Sequence, residues 1–239
     1  MEEVVSLYGD GIGEVRLINH YGNDKCIVDA ARVSFISDTP EKSDLSSRDK
    51  KLLQYLADNK HTSPFEHCGA TFRIKVPLFV ARQHMRHRTG SYNEASRRYT
   101  SSDIVFYTPE DFREQSESNR QASVEGSYIN PIINTVHGTN NDWQVKASEA
   151  VLSHTRKSLT LYNRLLESGV CREQARMVLP QNMYTEYWYT ANLLNILKFL
   201  KLRLAKDSQV EMQEMARGIS TLLQPIFPEA YKAWSLDLD

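Results

Sequence analysis

The chain has 239 residues, 41% of them hydrophobic and 25% charged, with a formal net charge of -1. That balance fits a globular protein able to bury a core, and it excludes a global field drawing the chain to nucleic acid or a membrane surface. No apolar run approaches the ~20 residues that span a bilayer, and the acidic Met1-Glu2-Glu3 lacks the pattern of a secretory signal.

Three separated cysteines, Cys26, Cys68 and Cys171, form no CxxC pair. The expectation is a soluble cytoplasmic protein with neither a disulfide scaffold nor a cysteine zinc site. In chain order, residues 12–19 alternate as a strand. Asp24 to Val33 reads as a helix opened by Asn23-Asp24. Residues 46–59 read as a second helix, with Ser46 and Asp49 spaced as a capping pair and Leu52, Leu53 and Leu56 on one face. Ser63-Pro64-Phe65-Glu66 carries a helix start, with the serine as cap and the proline in the first turn.

Thr71 to Val76 alternates as a half-buried strand, and Pro77 ends it and opens a helix to about His87. Residues 108–141 are polar and predict a long surface excursion inside one domain. An amphipathic helix over 142–167 ends at Gly169. A short helix at 171–179 stopped by Pro180, an apolar helix at 191–204 and a last helix at 208–224 before Pro225 follow. The pattern predicts an α+β single domain over 1–239, with an antiparallel-type sheet from the first half packed with a helix-rich second half.

Charge is distributed unevenly. No Asp or Glu lies between Glu66 and Glu94, whereas Arg73, Lys75, Arg82, Arg86 and Arg88 do. The segment 82–98 carries five arginines and two histidines against one glutamate. Gln83 and Arg86, three apart on the expected helix, share a face. Arginine presents a planar fork that matches phosphate bidentately, and Thr89-Gly90-Ser91 supplies a turn with backbone N–H groups. Charge alone leaves a solvated basic face equally open. The absence of lysine from 82–98, and the interleaved Ser91, Asn93, Glu94 and Ser96, favour a nucleotide site.

A second set, Arg172 and Arg176, lies four apart on the short helix, and Arg203 ends an apolar helix, where it either snorkels or meets an anion. His61 and His67 flank the Ser63-Pro64 turn, and His84 and His87 are three apart. No HExxH pattern exists, and the arginines beside His84 and His87 would repel a cation, so no metal is expected.

Arg86-His87-Arg88-x-x-Ser91-x-Asn93-Glu94-x-Ser96-x-Arg98 matches, at every fixed position, the signature of flavin-dependent thymidylate synthases. The resemblance extends to Ala30-Ala31-Arg32-Val33-Ser34-Phe35, to His61 through His67, and to Pro77 through Gln83. It continues through Gly169-Val170-x-Arg172-Glu173-x-Ala175-Arg176-x-Val178-Leu179-Pro180 and Phe199-Leu200-x-Leu202-Arg203. It is weakest over 108–141.

This resemblance implies a homotetramer that makes dTMP from dUMP, with active sites shared between subunits. Methylenetetrahydrofolate would be the carbon donor and FAD, reduced by NADPH, the hydride carrier. It assigns dUMP to Gln83, His84, Met85, Arg86, Glu94, Ala95, Ser96, Arg97, Arg98 and Arg176, with Arg203 catalytic at the uracil ring. It assigns FAD to Ser63, Arg86, His87, Arg88, Glu94, Asn192 and Lys198, and places His61 and Tyr99 near the folate and flavin rings. The chain departs from its relatives at Leu194 and Lys198.

The chemistry agrees with that assignment. Cys68 precedes a strand and Cys171 opens a short helix, neither in an evident electropositive motif, so no cysteine nucleophile is expected. A fixed cation at Arg203 can stabilise charge developing on the uracil imide. Ser96 has no base beside it except Glu94 and reads as a phosphate ligand. Two rivals remain at this stage. One is a non-catalytic nucleotide- or RNA-binding module, which the net charge disfavours; the other is a metal-dependent nucleotide hydrolase, which the histidine pattern disfavours.

Overall fold

The computed structural model describes residues 4–35, 45–101, 103–117, 119, 122–137 and 141–236. The N-terminal Met1-Glu2-Glu3, and residues 118, 120, 121 and 138–140 of the expected excursion, lie outside the described residues. The chain runs β1 (Val4–Leu7), β2 (Gly13–Tyr21), α1 (Asp24–Arg32), α2 (Ser47–Asp58), β3 (Gly69–Pro77), α3 (Leu78–His84) and β4 (Ser91–Glu94). Then come β5 (Phe112–Gln115), β6 (Ser123–Ile129), β7 (Ile132–His137), β8 (Asn141–Lys146), α4 (Ala147–Glu167) and α5 (Arg172–Ala175). It closes with β9 (Tyr184–Asn192), α6 (Leu193–Arg203), α7 (Val210–Leu223) and α8 (Pro228–Ala233).

These elements divide into two compact units. One comprises Met1–Val76, Arg82–Glu94 and Glu186–Asp239; the other comprises Pro77–Ala81 and Ala95–Thr185.

The first unit holds a five-stranded sheet in the order β1-β2-β3-β9-β4, with β1–β2, β2–β3 and β4–β9 antiparallel. Val15, Phe72, Ile74, Tyr187 and Tyr189 project from one face into a core closed by Ile196, Phe199, Met215 and Ile219. α7 packs on β1 and β2, and on α6. Gly218 permits that approach, because a Cβ there would lie 3.2 Å from Leu7 and 3.3 Å from Val15.

Two of the three expected N-terminal caps form. Asn23 accepts from the Cys26 N–H at 3.1 Å. Ser46 and Asp49 make a reciprocal capping box. Burial raises the Asp49 carboxyl, but its hydrogen bonds to Ser46 and the paired Arg32 guanidinium together hold it below the usual range. Arg32, part of the resemblance, is thus a tie between α1 and α2.

Several expectations change. β9 lies inside the sheet although residues 184–190 carried no strand expectation, and the helix expected at 191–204 begins only at Leu193, where Asn192 accepts from the Asn195 N–H at 3.0 Å. Ser63 does not cap: Ser63–His67 is a 3-10 turn preceded by Thr62, with no side-chain cap. The helix after Pro77 stops at His84, short of the expected end near His87. Arg86 therefore does not share a helical face with Gln83. It lies in a turn where the Arg86 N–H reaches the Gln83 carbonyl at 3.4 Å and the His87 N–H reaches the His84 carbonyl at 2.9 Å.

In the second unit, Tyr162, Ala175, Leu179 and Met183 form a core joined by Leu78, Phe106 and Leu159. The polar stretch 108–141 is an antiparallel pair β5–β6 followed by strands of the pair β7–β8, rather than a plain loop. Val124, Tyr128 and Ile132 are exposed there, so apolar alternation does not build these pairs. Backbone ladders and local ties do: the Gln115 amide donates to the carbonyls of Ser116, Asn119 and Ala122. Asn130 binds Ser148 at the start of α4. α4 begins at Ala147, not 142, because β8 occupies the intervening residues. No helix among the described residues is long and apolar enough to cross a membrane.

Candidate active site

α3 ends at His84 because the chain turns there to enter β4, and two aromatic side chains fix that turn. The Tyr92 hydroxyl is shared between the carbonyls of His84 (3.2 Å) and His87 (2.9 Å). Burial pushes Tyr92 up to about 12, so it keeps the proton it donates. Gly90 lies so close to Tyr189 that a Cβ would overlap the ring. The segment Arg86–Gly90 is thereby held against β9.

His84 is wholly buried. Its Nδ1 lies 2.8 Å from the Tyr187 hydroxyl, and its ring contacts Tyr189 and Phe199 at centroid distances of 4.4 and 4.8 Å. Its Nε2 has no partner among the described residues. Burial, then the neighbouring His87 and Arg203, bring it down to about 3, so it is neutral at physiological pH. Its side chain supports the turn from inside.

Three residues later, His87 stands edge-on to Phe199 at 5.0 Å, and its Nε2 accepts from Arg203 Nε at 3.1 Å. An arginine Nε–H can only donate, so His87 Nε2 must carry the lone pair, which makes the ring neutral with its proton on Nδ1. Burial and the Arg203 charge both lower His87, in keeping with that state. Arg203 is the last residue of α6, half-buried, and its terminal guanidinium nitrogens have no hydrogen-bond partner among the described residues. It is anchored at one nitrogen and open at two.

Around this pair, Arg86 and Arg88 are exposed, and neither meets a carboxylate among the described residues. Gln83 Oε1 is buried without a partner among the described residues, Met85 is half-buried and Glu94 is exposed. An orphaned amide oxygen suits an imide N–H, a group found in uracil and in the isoalloxazine ring alike. The same unit places Ser63, His61 and Asn192 at the other end of α6: the Ser63–His67 turn packs on α6, and the Leu193 N–H binds the Cys68 carbonyl at 2.7 Å. His61 stands edge-on to Tyr55, and Lys198 is exposed whereas Leu194 is buried. Eleven residues separate the two ends of α6 by roughly 16 Å. A small ligand cannot touch both, and an extended dinucleotide can.

The second unit carries its own arginines. Arg97 donates to the Asp103 carbonyl at 3.2 Å, and the Ser96 hydroxyl accepts from the Arg98 N–H at 3.3 Å. Arg98 meets Glu173 of α5 at 3.4 Å and lies over the exposed Tyr99 ring at 5.8 Å. Arg176 caps the C-terminus of α5, its Nε on the Glu173 carbonyl at 3.3 Å. Arg98, Tyr99, Cys171, Arg172 and Glu173 line an open pocket of about 260 Å³. Ala95 is exposed. Among the described residues no three His, Cys, Asp or Glu side chains gather as a metal site.

A family model described as thymidylate synthase complementing protein matches residues 16–229. This chain belongs to that family. A flavin-dependent thymidylate synthase of Thermus thermophilus is 41% identical over 93% of this chain and 75% of its own length. One from Thermosipho africanus is 37% identical, over 93% and 90%. Among solved structures, a UMP/dUMP methylase from Streptomyces cacaoi bound with 5-Br dUMP superposes with a TM-score of 0.78 at 28% identity, covering 97% of each chain.

Within this family frame, Tyr92 is the site-builder that sequence reasoning missed, and Gly90, expected to supply a turn, also lets that turn close on Tyr189. Both fall at variable positions of the arginine signature. The alternation of Tyr187, Tyr189 and Ala191 with Glu186, Trp188 and Thr190 was the signal available for the strand they lean on.

Proposed function

We propose that this chain is a cytoplasmic flavin-dependent thymidylate synthase, converting dUMP to dTMP with methylenetetrahydrofolate as carbon donor and with FAD reduced by NADPH. Its catalytic unit is the single domain 1–239, assembled as a homotetramer. The observation that carries the reading is Arg203. A guanidinium tied at Nε to a neutral histidine keeps its whole charge and two terminal nitrogens for a ligand. That is the group needed to stabilise negative charge on a uracil imide while C5 acts as nucleophile.

Thiol attack on the ring is poorly served here. Cys68 is wholly buried, and burial pushes its thiol up to about 12, so it holds its proton at neutral pH. Cys26 lies partly buried on α1, and Cys171 is exposed with its thiol toward Gln174. When bound, the flavin supplies the reducing equivalents that convert the transferred carbon to a methyl group.

The residues assigned to FAD are Ser63, Arg86, His87, Arg88, Glu94, Asn192 and Lys198, with His61 and Tyr99 beside the folate and flavin rings. Gln83, His84, Met85, Arg86, Glu94, Ala95, Ser96, Arg97, Arg98 and Arg176 are assigned to dUMP. The ring of His84 is buried, so its part in that set is to hold the turn that carries Met85 and Arg86. In an assembly whose sites draw on more than one subunit, these sets need not come from one copy.

The test is dTMP formation from dUMP by the purified chain, with each of FAD, NADPH and methylenetetrahydrofolate left out in turn. The reading requires all three. Nucleotide binding without product, or product formed without flavin, would contradict it.

A further inference from the structure

The turn that carries the arginine signature does more than present charge. It delivers one uncharged acceptor to the end of α6, and that acceptor is itself restrained at three points. The His87 N–H is bonded to the His84 carbonyl, its own carbonyl receives the Tyr92 hydroxyl, and its ring stands on Phe199. A side chain held at backbone and ring has little freedom left, so whatever it binds inherits its position. What it binds is Arg203 Nε, at 3.1 Å.

We propose that His87 is the positioning residue for Arg203: its neutral Nε2 fixes the guanidinium plane so that the two terminal nitrogens are set for the uracil imide. This rests on the synthase reading above. The choice of histidine follows from charge. A carboxylate in its place would hold the arginine as well, but would neutralise the cation that the uracil needs. A neutral acceptor orients without cancelling. The assignment differs in kind from a flavin contact, because it places the functional effect of His87 on dUMP.

The groups facing His87 agree with a neutral ring. They are Arg203 from α6, His84 from the end of α3, Tyr92 from β4, and Tyr187 of β9 behind His84. None is a carboxylate that would favour the imidazolium.

The experiment is a double-mutant cycle on the flavin-loaded enzyme. It reads the dUMP dissociation constant by titration and the bound flavin by its absorbance. The variants are His87→Leu, which keeps packing against Phe199 but cannot accept a hydrogen bond, His87→Gln, whose amide oxygen can accept, Arg203→Ala, and His87→Leu with Arg203→Ala. His87→Leu should weaken dUMP by about tenfold, the loss of one hydrogen bond to a charged group. His87→Gln should stay within about threefold of wild type, and the double variant should bind no more weakly than Arg203→Ala alone.

Fully additive losses would overturn the proposal. So would a His87→Gln variant as weak as His87→Leu, or a His87→Leu variant that loses flavin while binding dUMP normally. If His87→Leu fails to fold, the comparison of His87→Gln with wild type decides. A wild-type enzyme that neither binds dUMP nor releases tritium from it would instead remove the synthase reading, a result distinct from an additive cycle on an active enzyme.

Discussion

Arg203 and Arg98 both lie in segments that carry the resemblance to flavin-dependent thymidylate synthases, and they are held in opposite ways. Arg203 in the first unit rests on a neutral imidazole, whereas Arg98 in the second meets the carboxylate of Glu173. A neutral partner leaves the cation's field intact and fixes its direction. An anionic partner offsets the field and must compete with any incoming phosphate. The first arrangement suits charge that develops during a reaction, and the second suits a ligand that arrives already charged and can displace a solvent-exposed ion pair.

The strongest way to break this comparison is Arg203→Ala. It should lower turnover by a factor of about 10³ or more while flavin absorbance stays at the wild-type level; near-normal turnover would remove the asymmetry between the two arginines. Arg98→Ala should act mainly on binding, raising KM for dUMP by about tenfold with a smaller change in kcat. A collapse of kcat at constant KM would mean that Arg98 shares the chemical role.

His84 sharpens the neutral side. Its folded value near 3 lies below the ordinary 6.5, so the unfolded chain binds the extra proton first as pH falls. The stability that depends on neutral His84 is complete above about pH 6.5 and is lost between there and pH 3, at up to about 1.4 kcal/mol per pH unit. Thermal melts of wild type should fall through that window, and His84→Gln should flatten the fall; parallel curves would show that the ring titrates freely. The smallest effect is expected from Glu173→Gln, which releases Arg98. It should tighten dUMP by no more than about threefold, since both side chains are exposed. Weaker binding would show that Glu173 assists the site.

Much of this is legible in the sequence itself. The arginine signature, the Asn23 cap and the Ser46/Asp49 box depend on residues within a few positions of one another, so local chemistry settles them. The pairing of His87 with Arg203 spans 116 positions, and nothing local to either residue encodes it. β9 is masked in the sequence because Trp188 interrupts the polar face of an otherwise regular alternation. β5 to β8 leave no apolar alternation to read, because backbone ladders rather than buried side chains sustain them. The helix expected to reach His87 stops early because Tyr92, eight positions after His84 and five after His87, captures the carbonyls of both at the turn.

The central claim is that the Arg203 cation activates uracil in a flavin-dependent methylation. It is tested most directly by tritium release from dUMP labelled at C5, assayed with methylenetetrahydrofolate and NADPH, with and without FAD, in wild type and Arg203→Ala. The account predicts release that requires FAD in the wild type and is lost in the variant, whose flavin remains bound. Release independent of FAD, or undiminished in Arg203→Ala, would contradict it.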